Sequence, residues 1–379
     1  MEQSSVPLSG KIQANVVILG AGPAGTAAAV QLGMNGIQNV VLVDRHDFPR
    51  DKTCGSGISP KGIEVCKELG VWADVEAASY PIKGMRLVTP GGYDAWMSGG
   101  DSVDAVVCQR RTFDHILLKK AVERGVRFVP NFNAVEVLKD GQRAIGIKSA
   151  DGQEIHAKFV MIAGGSHCRI GLPEQRPRKV IQAIMGWWEG VPFRENHLEM
   201  IFDSMLEPYY GWLFPEASGR VNIGITYEER DGKQNARELF QRFLDKHYKD
   251  RIKDAKQIGA WKGHPVVWSY DIEKLTAPGR VVIGEAGLMT HPATAEGIYQ
   301  GMKSGTLGAN AVTDILARRR TESRAFDEYE RNCKKEFQLS FWVGGAVRRI
   351  VRTKTLDYLV RFGKIPLVTS ATAKMLAHV

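Results

Sequence analysis

No run of about 18 apolar residues occurs in the 379-residue chain, so the sequence predicts no membrane-spanning helix. Its first ten residues, MEQSSVPLSG, lack the basic and apolar stretches of a secretion signal, and a soluble, cytoplasmic protein is expected. Cysteine is scarce: Cys54, Cys66, Cys108, Cys168 and Cys333 form no CxxC pair and no regular framework. Neither zinc nor structural disulfides are indicated, no metal ligands are assigned, and reduced thiols are expected. Repeats, low-complexity tracts and nucleic-acid-binding modules are absent as well.

What is present suffices for a full core: 44% of the residues are hydrophobic, and the length suits two domains. The net charge of +9 fits anionic partners, a membrane surface or merely a basic soluble protein. Much of the excess lies late, in Lys334, Lys335, Arg348, Arg349, Arg352, Lys354, Arg361 and Lys364, interleaved with Phe337, Phe341, Trp342, Ile350, Val351 and Leu359. Such a basic amphipathic helix either rests on anionic lipid or packs on its own protein with a solvated charged face.

The opening of the chain reads as strand, tight turn and helix. Val16 to Leu19 form an apolar run that ends in Gly20, Gly22 and Gly25, and the small residues from Thr26 to Leu32 follow. Glycines there let the backbone approach a pyrophosphate, and the helix N-terminus offers it free amides. Val40 to Val43 read as a buried parallel strand closed by Asp44, at the spacing of an acid that binds a ribose hydroxyl. Arg110, Phe113, Asp114, Leu117 and Leu118 give a helix with an apolar stripe, and Val126 to Val129 a strand. A meander follows over Ala134–Leu138, Ala144–Ser149 and Glu154–Ile162, with Asp151 and Gly152 as a hairpin turn.

From about Val180 to Ala277 the texture changes. Trp187, Trp188, Phe193, Phe202, Tyr209, Tyr210, Trp212 and Phe214 crowd one stretch, which reads as an antiparallel sheet. Period two puts Tyr210, Trp212 and Phe214 on one face and Leu213 on the other, a face that either fills a core or walls an apolar ligand. Arg280 to Gly284 then returns as a strand into a second glycine-bounded loop, GEAGLMTHPATAEG, from Gly284 to Gly297.

These residues resemble the FAD-dependent geranylgeranyl reductase family, within the larger group built like aromatic hydroxylases. The general part is the GxGxxG at Gly20, Gly22 and Gly25, the RxxFD from Arg110 to Asp114, and the Gly284–Gly297 loop. The more specific part is PRDKTCG from Pro49 to Gly55, with YxWxFP at Tyr210, Trp212, Phe214 and Pro215. The resemblance implies an α/β fold: a discontinuous Rossmann-like FAD-binding domain (12–80, 101–175 and 276–330), an antiparallel substrate domain (81–100 and 178–275), and a helical C-terminal segment (331–379).

It also implies that Gly20, Gly22 and Gly25 approach the pyrophosphate, Asp44 the adenosine ribose, Arg110 the phosphates and Glu285 the ribityl region. Arg45, Gly165, Gly284 and Pro292 join the cofactor set. The amides of Glu296, Gly297 and Ile298 open a helix toward the flavin ring, where its dipole stabilises a reduced, anionic ring. Cys54 stands in the family's reactive-site motif, either delivering a proton or shaping the pocket, with Lys52 a neighbour able to tune the thiol; a buried small hydrophobe is the other reading.

Three positions depart from the family. AGGSHCRI from Ala163 to Ile170 replaces the usual ADG start and keeps Arg169, which puts direct reduction by NAD(P)H in doubt. Glu285 stands for an aspartate. His291, where a neutral amide is commoner, is either an acid or a loop residue bonded to backbone. The expected activity is hydride transfer from reduced flavin to a carbon–carbon double bond of an isoprenoid or other apolar substrate, with NAD(P)H or another reductant, or a redox partner, as electron source. The alternatives are an FAD-dependent monooxygenase acting on an aromatic secondary metabolite, and a flavin-binding relay without chemistry. A halogenase would need a WxWxIP segment, of which only Trp212 is present.

Overall fold

The computed structural model describes residues 12–98, 104–172, 178–229 and 235–362. At its centre lies the strand Ile12–Leu19, flanked in parallel by Val40–Val43 and by Glu154–Ile162, so that Leu19 stands between Val43 and Ile162. Arg127–Val129 and Arg280–Val282 extend the parallel array at its two ends, and Thr276–Ala277 adds an antiparallel edge. The central strands are apolar along their whole length because both faces are covered. One face carries the helices Pro23–Met34, Arg110–Glu123 and Ile298–Leu316. The other is covered in part by the meander Ala134–Asp140 and Arg143–Ser149, whose Val137, Ala144 and Ile147 pack on Val17, Val41 and Val160.

Close packing of small residues draws the first and last of these helices together. A side chain on Gly305 would lie 2.3 Å from the carbonyl oxygen of Ala24, and one on Gly284 would lie 2.7 Å from the Ala24 methyl. The two glycine loops therefore meet at one alanine.

A second sheet runs in the order Lys256–Gln257, Lys179–Glu189, Arg220–Tyr227, Gly211–Pro215, His197–Ile201, Gly84–Val88 and Asp94–Ser98, with Lys262–Trp268 also on the first long strand. It departs from the purely antiparallel sheet expected. His197–Ile201 runs parallel to Gly84–Val88, because a long excursion through the first sheet separates them and no hairpin can join them. Leu213, Ile223 and Ile225 point to a core closed by Phe240 and Phe243 of the helix Ala236–His247. Tyr210, Trp212, Phe214, Met185 and Met200 point the other way, as the period-two reading requires.

A small third sheet pairs Gly57–Ile58 and Tyr80–Ile82 with Ala105–Val107 and so anchors the turn that follows Cys54. The C-terminal helix begins at Glu322, ahead of the expected boundary at 331, and continues to Val351 before a short helix, Thr355–Phe362. Its Phe337 and Phe341 are buried, while Leu339 and Trp342 are exposed. Lys364 and the Leu359 side chain lie outside the described residues. No helix among the described residues is long and apolar enough to cross a membrane.

Candidate active site

The three glycines of the first loop meet different demands. Gly20 has φ +101°, and a Cβ there would sit 2.5 Å from the Ala163 carbonyl; on Gly25 it would sit 1.8 Å from the Gly20 carbonyl. Those two are required for the turn and for helix–strand packing. Beside Gly22 the only heavy atom in reach is Arg50 Nη2, at 3.8 Å, so its missing side chain leaves space open to the cavity. The helix starts at Pro23 with no side chain capping it, which leaves its first amides to a ligand.

Asp44 accepts the amides of Ala21 (2.9 Å) and His46 (3.0 Å) and lines the cavity, while Arg45 beside it lines the same mouth. Arg110, expected to contact phosphate, is buried and joined two-fold to Asp114, with Nε and Nη2 each 2.7 Å from a carboxylate oxygen. Arg50, which the sequence reading did not single out, bridges Asp114 (3.1 Å) and Asp44 (3.7 Å). The two guanidiniums and two carboxylates balance in charge, and Arg50 Nη2, 3.8 Å from the Gly22 opening, offers N–H donors there to an anionic group.

The second loop meets the first at Ala24. Gly284 has φ +62° and donates its amide to Ser304 Oγ at 2.9 Å. Glu285 lines the cavity and accepts the Val267 amide at 3.0 Å. Burial raises its pKa, against that amide and the Lys52 charge. Gly297 caps the 19-residue helix Ile298–Leu316 without a side-chain bond, and Glu296, Gly297 and Ile298 line the cavity. Thr290 Oγ1 in this loop lines the cavity and is shielded with no hydrogen-bond partner, the signature of a site whose ligand completes it.

The catalytic reading of His291 is not supported by its placement. His291 does not reach the cavity: it is fully buried, its Nδ1 accepts from Thr294 N (3.2 Å), Thr294 Oγ1 (3.0 Å) and Ala293 N (3.3 Å), and its Nε2 donates to the Ser340 carbonyl at 3.2 Å. Burial lowers its pKa to about 4. Among the open alternatives it is the loop residue, holding the cofactor loop on the C-terminal helix, where a Cβ on Gly344 would lie 2.6 Å from its ring. Pro292, also buried, stays behind the cavity face with it.

The acid missing at Gly164 has a steric counterpart. A side chain there would meet Cys168 Sγ at 2.9 Å; the cysteine fills the space that an aspartate would take. Gly165, with φ +70°, faces Glu285 across 3.9 Å from its hypothetical Cβ.

Opposite the cofactor loops stands the aromatic wall. Gly55 and Gly57, in the turn after Cys54, lie close on it: a Cβ on either would be 3.3 Å from the Phe214 ring. Trp212 donates to Asn222 Oδ1 at 2.7 Å, and Tyr210 donates to the Thr294 carbonyl at 2.6 Å, which ties wall to cofactor loop. Cys54 is half-buried, accepts the Ser56 amide at 3.3 Å, and faces the Arg110 and Lys52 charges.

His264 and Ser166 were missed by the sequence reading, since neither stands in a motif. Lys52 Nζ and Ser166 Oγ both approach His264 Nε2, the latter at 2.8 Å. An ammonium only donates, so Nε2 is an acceptor and the imidazole is neutral. Burial, then the Lys52 charge, lowers its pKa to about 3, and burial lowers Lys52 to about 8. All five cysteines are free thiols.

Loops, wall and Cys54 line one cavity of about 1520 Å³. Pockets for drug-sized ligands run to roughly 300–1,000 Å³, so the larger space suits a dinucleotide with a second molecule beside it. The open face of Gly22, the unpaired helix starts and the orphan Thr290 oxygen fit FAD, and Gly20, Gly22, Gly25, Asp44, Arg50, Glu285 and the Gly297 helix are the residues that would hold it.

The chain belongs to the FAD-binding domain family, whose family model matches residues 13–338, and it is an FAD-dependent oxidoreductase. The resemblance to geranylgeranyl reductases read from the motifs holds. Digeranylgeranylglycerophospholipid reductase 1 of Methanothermobacter thermautotrophicus is 26% identical over 95% of this chain and 90% of its own. A geranylgeranyl bacteriochlorophyll reductase-like protein of Thermoplasma acidophilum superposes with a TM-score of 0.81 at 22% identity, covering 93% and 91% of the two chains. The flavin-dependent brominase Bmp2 also reaches 0.81, at 19% identity, covering 97% and 94%. The fold is thus shared by reductase-like and halogenating proteins, and the reaction must be argued from the site.

Proposed function

We propose that the protein saturates a carbon–carbon double bond of an isoprenoid or similarly apolar substrate. The observation that carries this reading is the composition of the chamber facing the cofactor loops: Tyr210, Trp212, Phe214, Met85, Met185 and Met200 line it. Aromatic and thioether side chains adapt to a flexible hydrocarbon chain and give no polar anchor for a compact, hydroxylated ring. The reductase relative supports the same class.

FAD, when bound and reduced, supplies the hydride. The chain's own part is to hold it and set the charge around it: Gly22 and Arg50 at the phosphates, Asp44 at the ribose, Glu285 at the ribityl hydroxyls, and the N-terminus of the Ile298 helix beside the ring, stabilising its reduced anionic form. Cys54, lining the cavity next to the aromatic wall, either delivers a proton or shapes the pocket, as the motif implies. NAD(P)H or another reductant recharges the cofactor. The Arg45 and Arg169 cations at the cavity edge suit an anionic donor, while Cys168 fills the place of the acid that the family pattern carries. The exposed Leu339 and Trp342, with Lys334, Lys335 and Arg349 on the same helix, suit peripheral contact with an anionic membrane that holds the lipid substrate, from the cytoplasmic side.

The test is anaerobic. Holoenzyme reduced with dithionite is mixed with a polyprenyl alkene, and flavin reoxidation is followed together with product mass. Saturated product without oxygen supports the proposal. Turnover that requires dioxygen and places labelled oxygen in an aromatic product would overturn it in favour of the monooxygenase reading, which the brominase-like fold keeps in view.

A further inference from the structure

We infer that Glu296 is the acid that protonates the substrate carbon as hydride arrives at its neighbour, a role that rests on the alkene-reduction reading above. Glu296 lines the cavity beside the start of the Ile298–Leu316 helix. Its Oε1 is shielded from water and has no partner, and the same holds for Oε1 of Gln300, the residue beside it one helical turn on. Ser59 and Gln300 bond the carboxyl group, yet its Oε1 is left sheltered without a donor, an unfavourable arrangement for a carboxylate. A proton on Glu296 removes that charge.

The surroundings agree. The charged and titratable groups facing Glu296 are Lys61, Tyr210 and Tyr299, with Ser59 and Gln300 as polar neighbours. Burial dominates over Lys61, Ser59 and Gln300 and raises the carboxyl pKa. Tyr210 also has Cys54 among its electrostatic neighbours, which puts Glu296 at the junction between the Cys54 turn, the aromatic wall and the cofactor loop. The two roles open to Cys54 then separate: Glu296 takes proton delivery, and Cys54, bonded by the Ser56 amide beside the Gly55 and Gly57 backbone that packs on Phe214, shapes the pocket.

In the step, Glu296 gives the proton of its carboxyl group to one alkene carbon while the other receives hydride from reduced FAD. The π bond breaks, two C–H bonds form, the flavin ends oxidised, and Glu296 is left as a carboxylate. Lys61 and the helix N-terminus stabilise that anion until water returns the proton. Because the step needs the neutral acid, its rate is full at low pH and declines as pH rises through the raised pKa of Glu296.

The test compares wild type, Glu296→Gln and Glu296→Asp as holoproteins with measured flavin content. Reduced enzyme is mixed anaerobically with a polyprenyl alkene, and flavin reoxidation is recorded against pH in H2O and D2O. Glu296→Gln should slow reoxidation by about 10²–10⁴-fold and abolish the high-pH decline, while dithionite reduction and flavin content stay at wild-type levels; Glu296→Asp should restore part of the rate.

A second readout needs no turnover. The infrared spectrum of oxidised wild-type holoprotein near neutral pH should show a protonated-carboxyl stretch that shifts in D2O and is missing from Glu296→Gln. Wild-type rate and pH profile in Glu296→Gln, or absence of that band in wild type, would overturn the assignment. Failure of the wild-type enzyme itself to be reoxidised by any alkene, with the band present, would instead sink the substrate reading.

Discussion

Acid should loosen the cofactor loop through a single buried imidazole. His291 is fully buried, and its Nδ1 is the acceptor for the Ala293 and Thr294 amides and the Thr294 hydroxyl. A proton on Nδ1 would set donor against donor three times over. In the folded state the ring stays neutral down to about 4, against an ordinary value of 6.5. Between those values the unfolded chain binds the proton and the native one does not, so the unfolded state gains as pH falls. Its contribution to stability is therefore complete above about pH 6.5 and is lost on the way down to about pH 4. A drop from 6.5 to about 4, at about 1.4 kcal/mol per unit, corresponds to about 3 kcal/mol.

The perturbation is His291→Asn, whose amide oxygen keeps an acceptor for the loop but does not titrate. Urea unfolding of both holoproteins at fixed FAD, from about pH 7 to about pH 4, isolates the term, because every other group is common to the pair. The stability advantage of wild type over His291→Asn should shrink by about 3 kcal/mol across that window. Parallel pH dependences for the two proteins would refute the assignment of a neutral, structurally bonded His291.

The remaining expectations concern the cofactor cradle and the wall. Gly22→Ala should fold normally and lose flavin affinity, whereas Gly25→Ala, with its Cβ forced to within 1.8 Å of the Gly20 carbonyl, should fail to fold; flavin content and thermal melts separate the two. Arg50→Met removes one of the two guanidiniums on Asp114 and should weaken FAD binding roughly 10- to 100-fold, the worth of a charge-assisted hydrogen bond, as read by flavin fluorescence titration. Tyr210→Phe deletes the 2.6 Å bond to the Thr294 carbonyl and should cost about 1 kcal/mol in denaturant unfolding; no change would mean that wall and loop are not coupled through that hydroxyl.

The parts of this structure readable from sequence are those fixed by local sterics. Gly20 and Gly25 have no alternative residue because backbone lies within van der Waals distance of their missing side chains, and apolar runs such as Val40 to Val43 announce strands covered on both faces. The period-two split of Trp212 from Leu213 needed only the pleat. What escaped depends on partners far along the chain. His264 meets Lys52 across 212 positions, and the parallel pairing of Gly84–Val88 with His197–Ile201 is a long-range choice that no window of sequence contains. His291 was open between two roles because its decisive neighbours, Ser340, Phe341 and Gly344, come from the C-terminal helix.

The same distinction explains why the chemistry is harder to read than the cofactor. The two cofactor loops identify themselves by glycine, and their meeting at Ala24 is enforced by the absence of side chains at Gly284 and Gly305. A reacting group carries no such local mark. Glu296 differs from any solvated glutamate only because Tyr210, bonded to the Thr294 carbonyl, and the helix from Ile298 enclose it. Its surroundings come from the wall, the cofactor loop and the helix Pro60–Glu68 at once. An acid that must be neutral near the working pH has to be built by convergence of distant segments, because only such convergence shelters a carboxyl oxygen from water at the edge of a cavity.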